Sequence, residues 1–306
     1  MSRNLKYQFK NAIDVNFKEN MDKHSIKHIE GIGNGKIFSY SDRKNLIDFS
    51  ANLSNYLKMN YPKIKMINDI KIEHIQAFFN EKSEMCSSFT MKQYKAKLNK
   101  LEILVNKTYN IKVNLSSGYI LPVADKNTSK IRNIDMKKEE YEKLLIAMQN
   151  SKSPAKTGIQ LSAKFGLRVC EIVKLQGRDL DIQNGILKIV DSKGGRDRNI
   201  DLTEEEIEFC KKVKSCVGEN ERIVPLRQDS VNKFLSRKLD ECGLKEKFAS
   251  AKTGIHSIRK MAAQNYYNRC REAGYSIEES LSLTSLYLGH GKNRAELMKE
   301  YILSIK

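Results

Sequence analysis

Residues 113–134, VNLSSGYILPVADKNTSKIRNI, separate two stretches of different hydropathy pattern, so the chain must fold as more than one domain. The segment is rich in Ser, Asn, Gly and Lys with one Pro, and it reads as an interdomain linker. Before it the only period is helical. Leu46, Phe49, Leu53 and Leu57 repeat at three and four until Asn60-Tyr61-Pro62 ends the run. A second helix is predicted over 71–82 with Ile72, Ile75, Phe78 and Phe79. A third follows Ser87-Ser88, with Thr90 as N-cap and Met91, Tyr94, Leu98, Leu101, Leu104 and Val105 along it. Together these predict a helical domain over 38–112. Upstream, Leu5, Phe9, Ile13 and Phe17 keep near-helical spacing and stop at Gly31-Ile-Gly-Asn-Gly35, so residues 1–37 are expected to be an extension with a hinge-like end.

Beyond the linker, residues 135–306 mix two periods. A helix starts near Asp135-Met-Lys-Lys-Glu139, another runs from Lys156 through Arg168, and further helices are predicted over 204–214 and 229–242. Between them, 186–190 and 198–202 are β-rich runs joined by the turn Ser192-Lys193-Gly194-Gly195, with Asp179-Leu180-Asp181 as a short link before the first. The predicted fold class is mainly α with a small β-sheet.

Charge narrows the partners. Lys and Arg number 55 against 37 Asp and Glu, a formal net charge of +18 with a pI near 9.5, which favours a polyanion over an acidic small molecule. Nucleic acid fits this better than an anionic membrane surface. No stretch approaches the roughly 18 consecutive apolar residues of a membrane span, and the first residues mix acids into what would have to be an apolar signal core. A soluble, cytoplasmic protein is expected. The six cysteines form no C-x-x-C pair, so neither a zinc site nor a disulfide framework is expected. No G-x-x-x-x-G-K-[ST] loop is present to hold ATP.

The last fifty residues gather candidate chemistry. His256 and Arg259 are three apart in a helix-compatible run and can meet on one face. His290 stands in Leu288-Gly289-His290-Gly291, and Tyr301 lies eleven residues beyond it. Arg168 and Glu171 lie upstream in Gly166-Leu167-Arg168-Val169-Cys170-Glu171, and Lys193 in the turn between the β-rich runs. Singly, each has an ordinary structural explanation: a satisfied histidine, a packing aromatic, a solvated hairpin tip.

In this order the residues resemble the tyrosine recombinase family, the phage-integrase type of site-specific recombinase. The family pattern is an arginine in Gly-Leu-Arg-x-x-Glu, a lysine on a β-hairpin, His-x-x-Arg, Leu-Gly-His and a nucleophilic tyrosine. The chain matches it with Arg168, Lys193, His256, Arg259, His290 and Tyr301 over residues 135–303. The resemblance implies a helical core-binding domain followed by an α/β tyrosine-recombinase catalytic domain. It implies double-stranded DNA with specific recombination sites as substrate, other protomers in a synaptic tetramer, and a directionality or host DNA-bending factor as assistant. A bacterial or phage-type protein of the cytoplasm, associated with the nucleoid and serving a mobile element or phage genome, is the expected setting.

Cutting a phosphodiester without a metal needs a nucleophile, positive charge on the non-bridging oxygens and a proton for the departing 5′ oxygen. The resemblance assigns Tyr301 to attack and to hold the strand as a 3′-phosphotyrosine. Arg168 and Arg259 present planar cationic forks that match phosphate oxygens. Lys193 is the candidate general acid, His256 and His290 bond the phosphate and manage the tyrosine proton, and Glu171 orients Arg168. No cofactor and no metal is expected. By residue type alone Tyr266, Tyr267, Tyr275 and Tyr287 could also attack, and Lys188 and Lys252 could replace Lys193. Lys92, Lys95, Lys97 and Lys100 on the third predicted helix are an ordinary solvated face in isolation; beside such a catalytic domain they become candidate DNA contacts. Two alternatives remain at this point. One is a DNA-binding protein of the same fold that has lost catalysis; the other is a type IB topoisomerase, separable by relaxation of supercoiled plasmid lacking cognate sites.

Overall fold

Apolar stripes at helical spacing become five α-helices among the described residues of a first unit, Met1–Ser129, and a second unit, Lys130–Lys306, has its own core. The structure is a computed structural model that describes residues 4–19, 23–31, 35–124, 134–190, 197–250, 254–291 and 294–305. In the first unit α1 is Leu5–Val15, α2 Lys23–Glu30, α3 Tyr40–Asn60, α4 Ile72–Met85 and α5 Ser88–Tyr109. Phe9 and Ile13 of α1, Leu53 and Leu57 of α3, Phe78 and Phe79 of α4 and Leu98 and Leu101 of α5 are fully buried in one cluster. Each such side chain stabilises the fold by roughly 1.5–3 kcal/mol. Ser87, not Thr90, caps α5: its hydroxyl accepts the Thr90 N–H at 3.2 Å.

Two borders drawn from the sequence shift. Residues 5–15 are not an extension, since α1 packs against α3 and α5 and contributes to their core. Polar bonds fix the docking. Tyr109 Oη donates to the Gln8 carbonyl at 2.8 Å, and Asn16 Nδ2 donates to Thr108 Oγ1 at 2.7 Å. The first half of the expected linker is likewise strapped to this unit. Glu102 accepts the N–H groups of Leu115 and Ser116 at 2.6 and 2.7 Å, Gln76 pairs both ways with Ile120, and Tyr119 stacks on Phe79 at 4.8 Å. Its later residues, 125–133, lie outside the described residues.

In the second unit α6 is Lys138–Met148, α7 Pro154–Phe165, α8 Val169–Ile172, β1 Leu180–Asp181, β2 Ile186–Ile189 and β3 Arg198–Asp201. There follow α9 Glu204–Lys214, α10 Gln228–Glu241, α11 Lys245–Ser250, α12 Gly254–Glu272, α13 Ile277–Tyr287 and α14 Ala295–Met298. Helix α12 runs through the core against α7, α10 and α13. The sheet has order β1-β2-β3, all antiparallel, with Leu187 opposite both Leu180 and Ile200. Leu180 therefore sits in a third strand where the sequence suggested a link; two residues are too few to show an alternating pattern. No helix of the described residues is long and apolar enough to cross a membrane.

Candidate active site

The helix expected to carry Arg168 ends earlier. Gly166 takes the left-handed conformation, φ 60°, its N–H closes on the Ser162 carbonyl at 2.9 Å, and α7 stops at Phe165. Arg168 instead caps the start of α8. One Glu171 carboxylate takes both its groups, the backbone N–H at 2.9 Å and Nη1 at 2.8 Å. The spacing of three thus works as a helix-start bond as much as a shared face.

Arg259, 1% exposed on α12, reaches the same place from the core. Its Nη1 donates to the Gly166 carbonyl and its Nη2 to the Leu288 carbonyl at 2.6 Å. Arg168 Nη2 and Arg259 Nη2 both stand 3.4 Å from His290 Nε2. A guanidinium can only donate, so these contacts suit a neutral His290 imidazole with its proton on Nδ1. Burial, then the neighbouring Arg168, pulls Arg259 down to about 10, opposed by Glu171 and Tyr301. It stays cationic at neutral pH, and its Nε is buried without a hydrogen-bond partner.

The turn after α13 places His290. Gly289 has φ 68°, the His290 N–H donates to the Ser285 carbonyl at 2.9 Å, and Ser285 Oγ donates to the Gly291 carbonyl at 2.9 Å. Tyr301 follows α14 in a turn, its N–H on the Met298 carbonyl at 2.8 Å, and is 8% exposed. Its ring lies edge-on to two imidazoles, 5.3 Å from His256 and 5.2 Å from His290 between centroids. The fold thus brings Arg168, Glu171, His256, Arg259, His290 and Tyr301 together. Lys193 and Lys252 lie outside the described residues. Lys188 is turned to Asp181, with Nζ 2.8 Å from Oδ2.

Two residues of this cluster escaped the sequence reading. Arg198, at the start of β3, holds both Glu171 oxygens at 3.0 and 3.1 Å and donates Nε to the Tyr287 carbonyl at 2.8 Å. Lys260, 2% exposed, donates to the Glu300 carbonyl at 2.7 Å with Nζ 5.8 Å from the Tyr301 ring centroid. Helical period offered a signal for Lys260, which lies four residues after His256 on its face; nothing local marked Arg198. Arg168, Arg198 and Arg259 surround the single carboxylate of Glu171, with Arg259 Nη1 at 3.9 Å. Two positive charges are left over in a largely buried place, where an anion can neutralise them. Among the described residues no group of three or more His, Cys, Asp or Glu could hold a metal ion.

Gly289→Ala should destabilise this unit by about 1–3 kcal/mol, because the left-handed backbone disfavours a side chain. The new Cβ would also come 2.8 Å from Arg198 Nη1, a group pinned by its acceptors. A urea melt that matches the wild type would contradict this packing.

Residues 135–274 match the phage integrase family. That match covers most of the second unit. The matched range holds Arg168, Glu171, His256 and Arg259 and stops short of His290 and Tyr301, which the fold then brings to them. No curated protein matches the chain. Among solved structures, a lambda integrase dimer bound to a COC′ core site is similar over 92% of this chain and 95% of that one, at 18% identity and a TM-score of 0.62. The Tn1549 transposon integrase in complex with transposon right end DNA is similar over 97% and 94%, at 15% identity and a TM-score of 0.57. A lambda integrase tetramer bound to a Holliday junction is similar over 90% and 76%, at 18% identity and a TM-score of 0.61. At such identities the likeness is one of fold.

Within the second unit the rival tyrosines are differently placed. Tyr287 is buried, donates its hydroxyl to the Lys164 carbonyl at 2.9 Å and stacks on Tyr266 at 4.0 Å; burial pushes both phenols up from the usual tyrosine value. Tyr267 is fully buried, whereas Tyr275 is 47% exposed in the turn between α12 and α13.

Proposed function

We propose that this chain is a tyrosine recombinase that cleaves and rejoins double-stranded DNA at specific sites through Tyr301. The convergence of the Arg168 and Arg259 guanidiniums, the His256 and His290 imidazoles and the Tyr301 ring carries this reading. The phenolic oxygen attacks the scissile phosphorus, and its proton passes to an imidazole. Arg168 and Arg259 neutralise the non-bridging oxygens as charge builds in the pentacoordinate transition state. The orphan Arg259 Nε is a donor such an oxyanion can satisfy. The bond to the 5′ oxygen breaks, Lys193 supplies its proton, and a 3′-phosphotyrosine remains. Attack by a 5′ hydroxyl on that linkage reverses the steps and rejoins a strand, so no bond energy is lost and no ATP is needed. Glu171 holds Arg168 in place.

The helical unit supplies DNA contacts. On α5, Lys92 and Lys95 are exposed. Lys97 lies 5.6 Å from the Tyr94 ring centroid, and Lys100 pairs with Asp42 at 2.7 Å, so phosphate would have to compete for the latter. Following the lambda integrase assemblies, protomers of this chain pair two DNA sites as a tetramer on a mobile element or phage genome.

Two measurements on the full chain test this reading. Cleavage should persist in excess EDTA, because arginines provide the charge that metals provide elsewhere. Binding should weaken linearly in log affinity against log salt, with a slope of about −0.9 per phosphate contacted. A strict Mg²⁺ requirement, or a flat salt response, would count against it.

A further inference from the structure

Arg198 joins three pieces of the site that are distant in sequence. It opens β3, two residues after the segment 191–196 that holds Lys193 and lies outside the described residues. Its two terminal nitrogens take both oxygens of Glu171, which itself holds Arg168. Its Nε bonds the Tyr287 carbonyl, three residues before His290, and its guanidinium fills the space beside Gly289. The side chain is only 8% exposed. Burying a guanidinium is costly unless it is fully paired, and an apolar side chain could fill the same volume. The arrangement has a chemical consequence. Glu171 could pair bidentately with Arg168 or lean further toward Arg259, and either move would cancel charge meant for the phosphate. A carboxylate already engaged on both oxygens by Arg198 is less free to do so.

We propose that Arg198 is a positioning residue: it occupies the Glu171 carboxylate, so that Arg168 keeps its reach and charge toward the scissile phosphate, and it ties β3 to the turn bearing His290. This inference rests on the reading of Arg168 as a phosphate ligand. It requires no contact between Arg198 and DNA.

The test uses the full chain and a suicide duplex, nicked near the exchange point, carrying the junction sequence beside the gene. One version has the natural scissile phosphate and the other a methylphosphonate, in which a neutral methyl replaces one charged non-bridging oxygen. Arg198→Gln, which retains one donor for Glu171, should bind DNA within about threefold of the wild type and form covalent adduct on the order of 10²-fold more slowly on phosphate. On methylphosphonate the deficit should shrink to a few fold, since less charge waits to be neutralised, and Arg168→Ala should behave alike. The double variant should be no slower than Arg168→Ala alone. A loss of packing alone would slow both substrates equally. Equal deficits, or additive effects in the double variant, would overturn the proposal. Arg198→Lys keeps the charge in a similar volume; it serves if Arg198→Gln fails to fold, and the same substrate dependence decides. Failure of the underlying reading looks different: Arg168→Ala would then cleave phosphate at the wild-type rate.

Discussion

Arg259→Ala should reduce covalent adduct formation by at least about 10³-fold. Removing a single donor to a transition-state oxyanion commonly costs 10²–10³-fold, or about 2.7–4 kcal/mol, and this change removes a permanent charge as well. The loss should extend to stability. The carbonyls of Gly166 and Leu288 would each lose a charged donor in a buried setting, at roughly 1–3 kcal/mol apiece. Glu171 would keep Arg168 and Arg198, so the carboxylate itself stays paired. Arg259→Lys should be a poor substitute, since an ammonium lacks the planar fork that reaches two carbonyls and His290 together. Adduct accumulation on a suicide duplex reads the first effect and a urea melt the second. A variant that is less stable but cleaves at the normal rate would make Arg259 a strut of α12 and not a phosphate ligand.

Tyr301→Phe should bind DNA with nearly unchanged affinity and form no adduct at all. The change deletes one hydroxyl, while the aromatic ring that meets His256 and His290 and the neighbouring Lys260 remains. Three of the rival tyrosines are held elsewhere. The Tyr287 hydroxyl is committed to the Lys164 carbonyl, Tyr267 is buried in the core, and Tyr266 is stacked on Tyr287. A denaturing gel after prolonged incubation decides it. A persistent adduct in the variant would move the nucleophile elsewhere.

Much of this site was legible because its pieces are short motifs whose neighbours in sequence are also neighbours in space. His256 and Arg259 share a helix face, and His290 stands in the short run Leu288-Gly289-His290-Gly291. What stayed hidden depends on contacts between distant positions. Arg198 meets Glu171 and Tyr287 across 27 and 89 residues, and no local period reports such a meeting. Lys100 looked like a member of a free basic face, yet Asp42 of α3 claims it. The stripe of Leu5, Phe9 and Ile13 announced a helix without saying what it packs on. The Ser-, Asn-, Gly- and Lys-rich composition of 113–134 suggested a linker throughout, because the restraints on its first half are side chains elsewhere, Glu102 and Gln76. Lengths misled twice as well: β1 is too short to show alternation, and one glycine divided the helix expected to reach Arg168.

Tyr301 should carry the broken strand. Adduct formed by the wild-type chain on a suicide duplex can be digested with nuclease and trypsin and the nucleotide-bearing peptide sequenced by mass spectrometry. The expected product is the peptide after Lys299, Glu300–Lys306, with a nucleotide joined through its 3′ phosphate to the Tyr301 oxygen. A nucleotide on Tyr266, Tyr267, Tyr275 or Tyr287, or one joined through a 5′ phosphate, would contradict it.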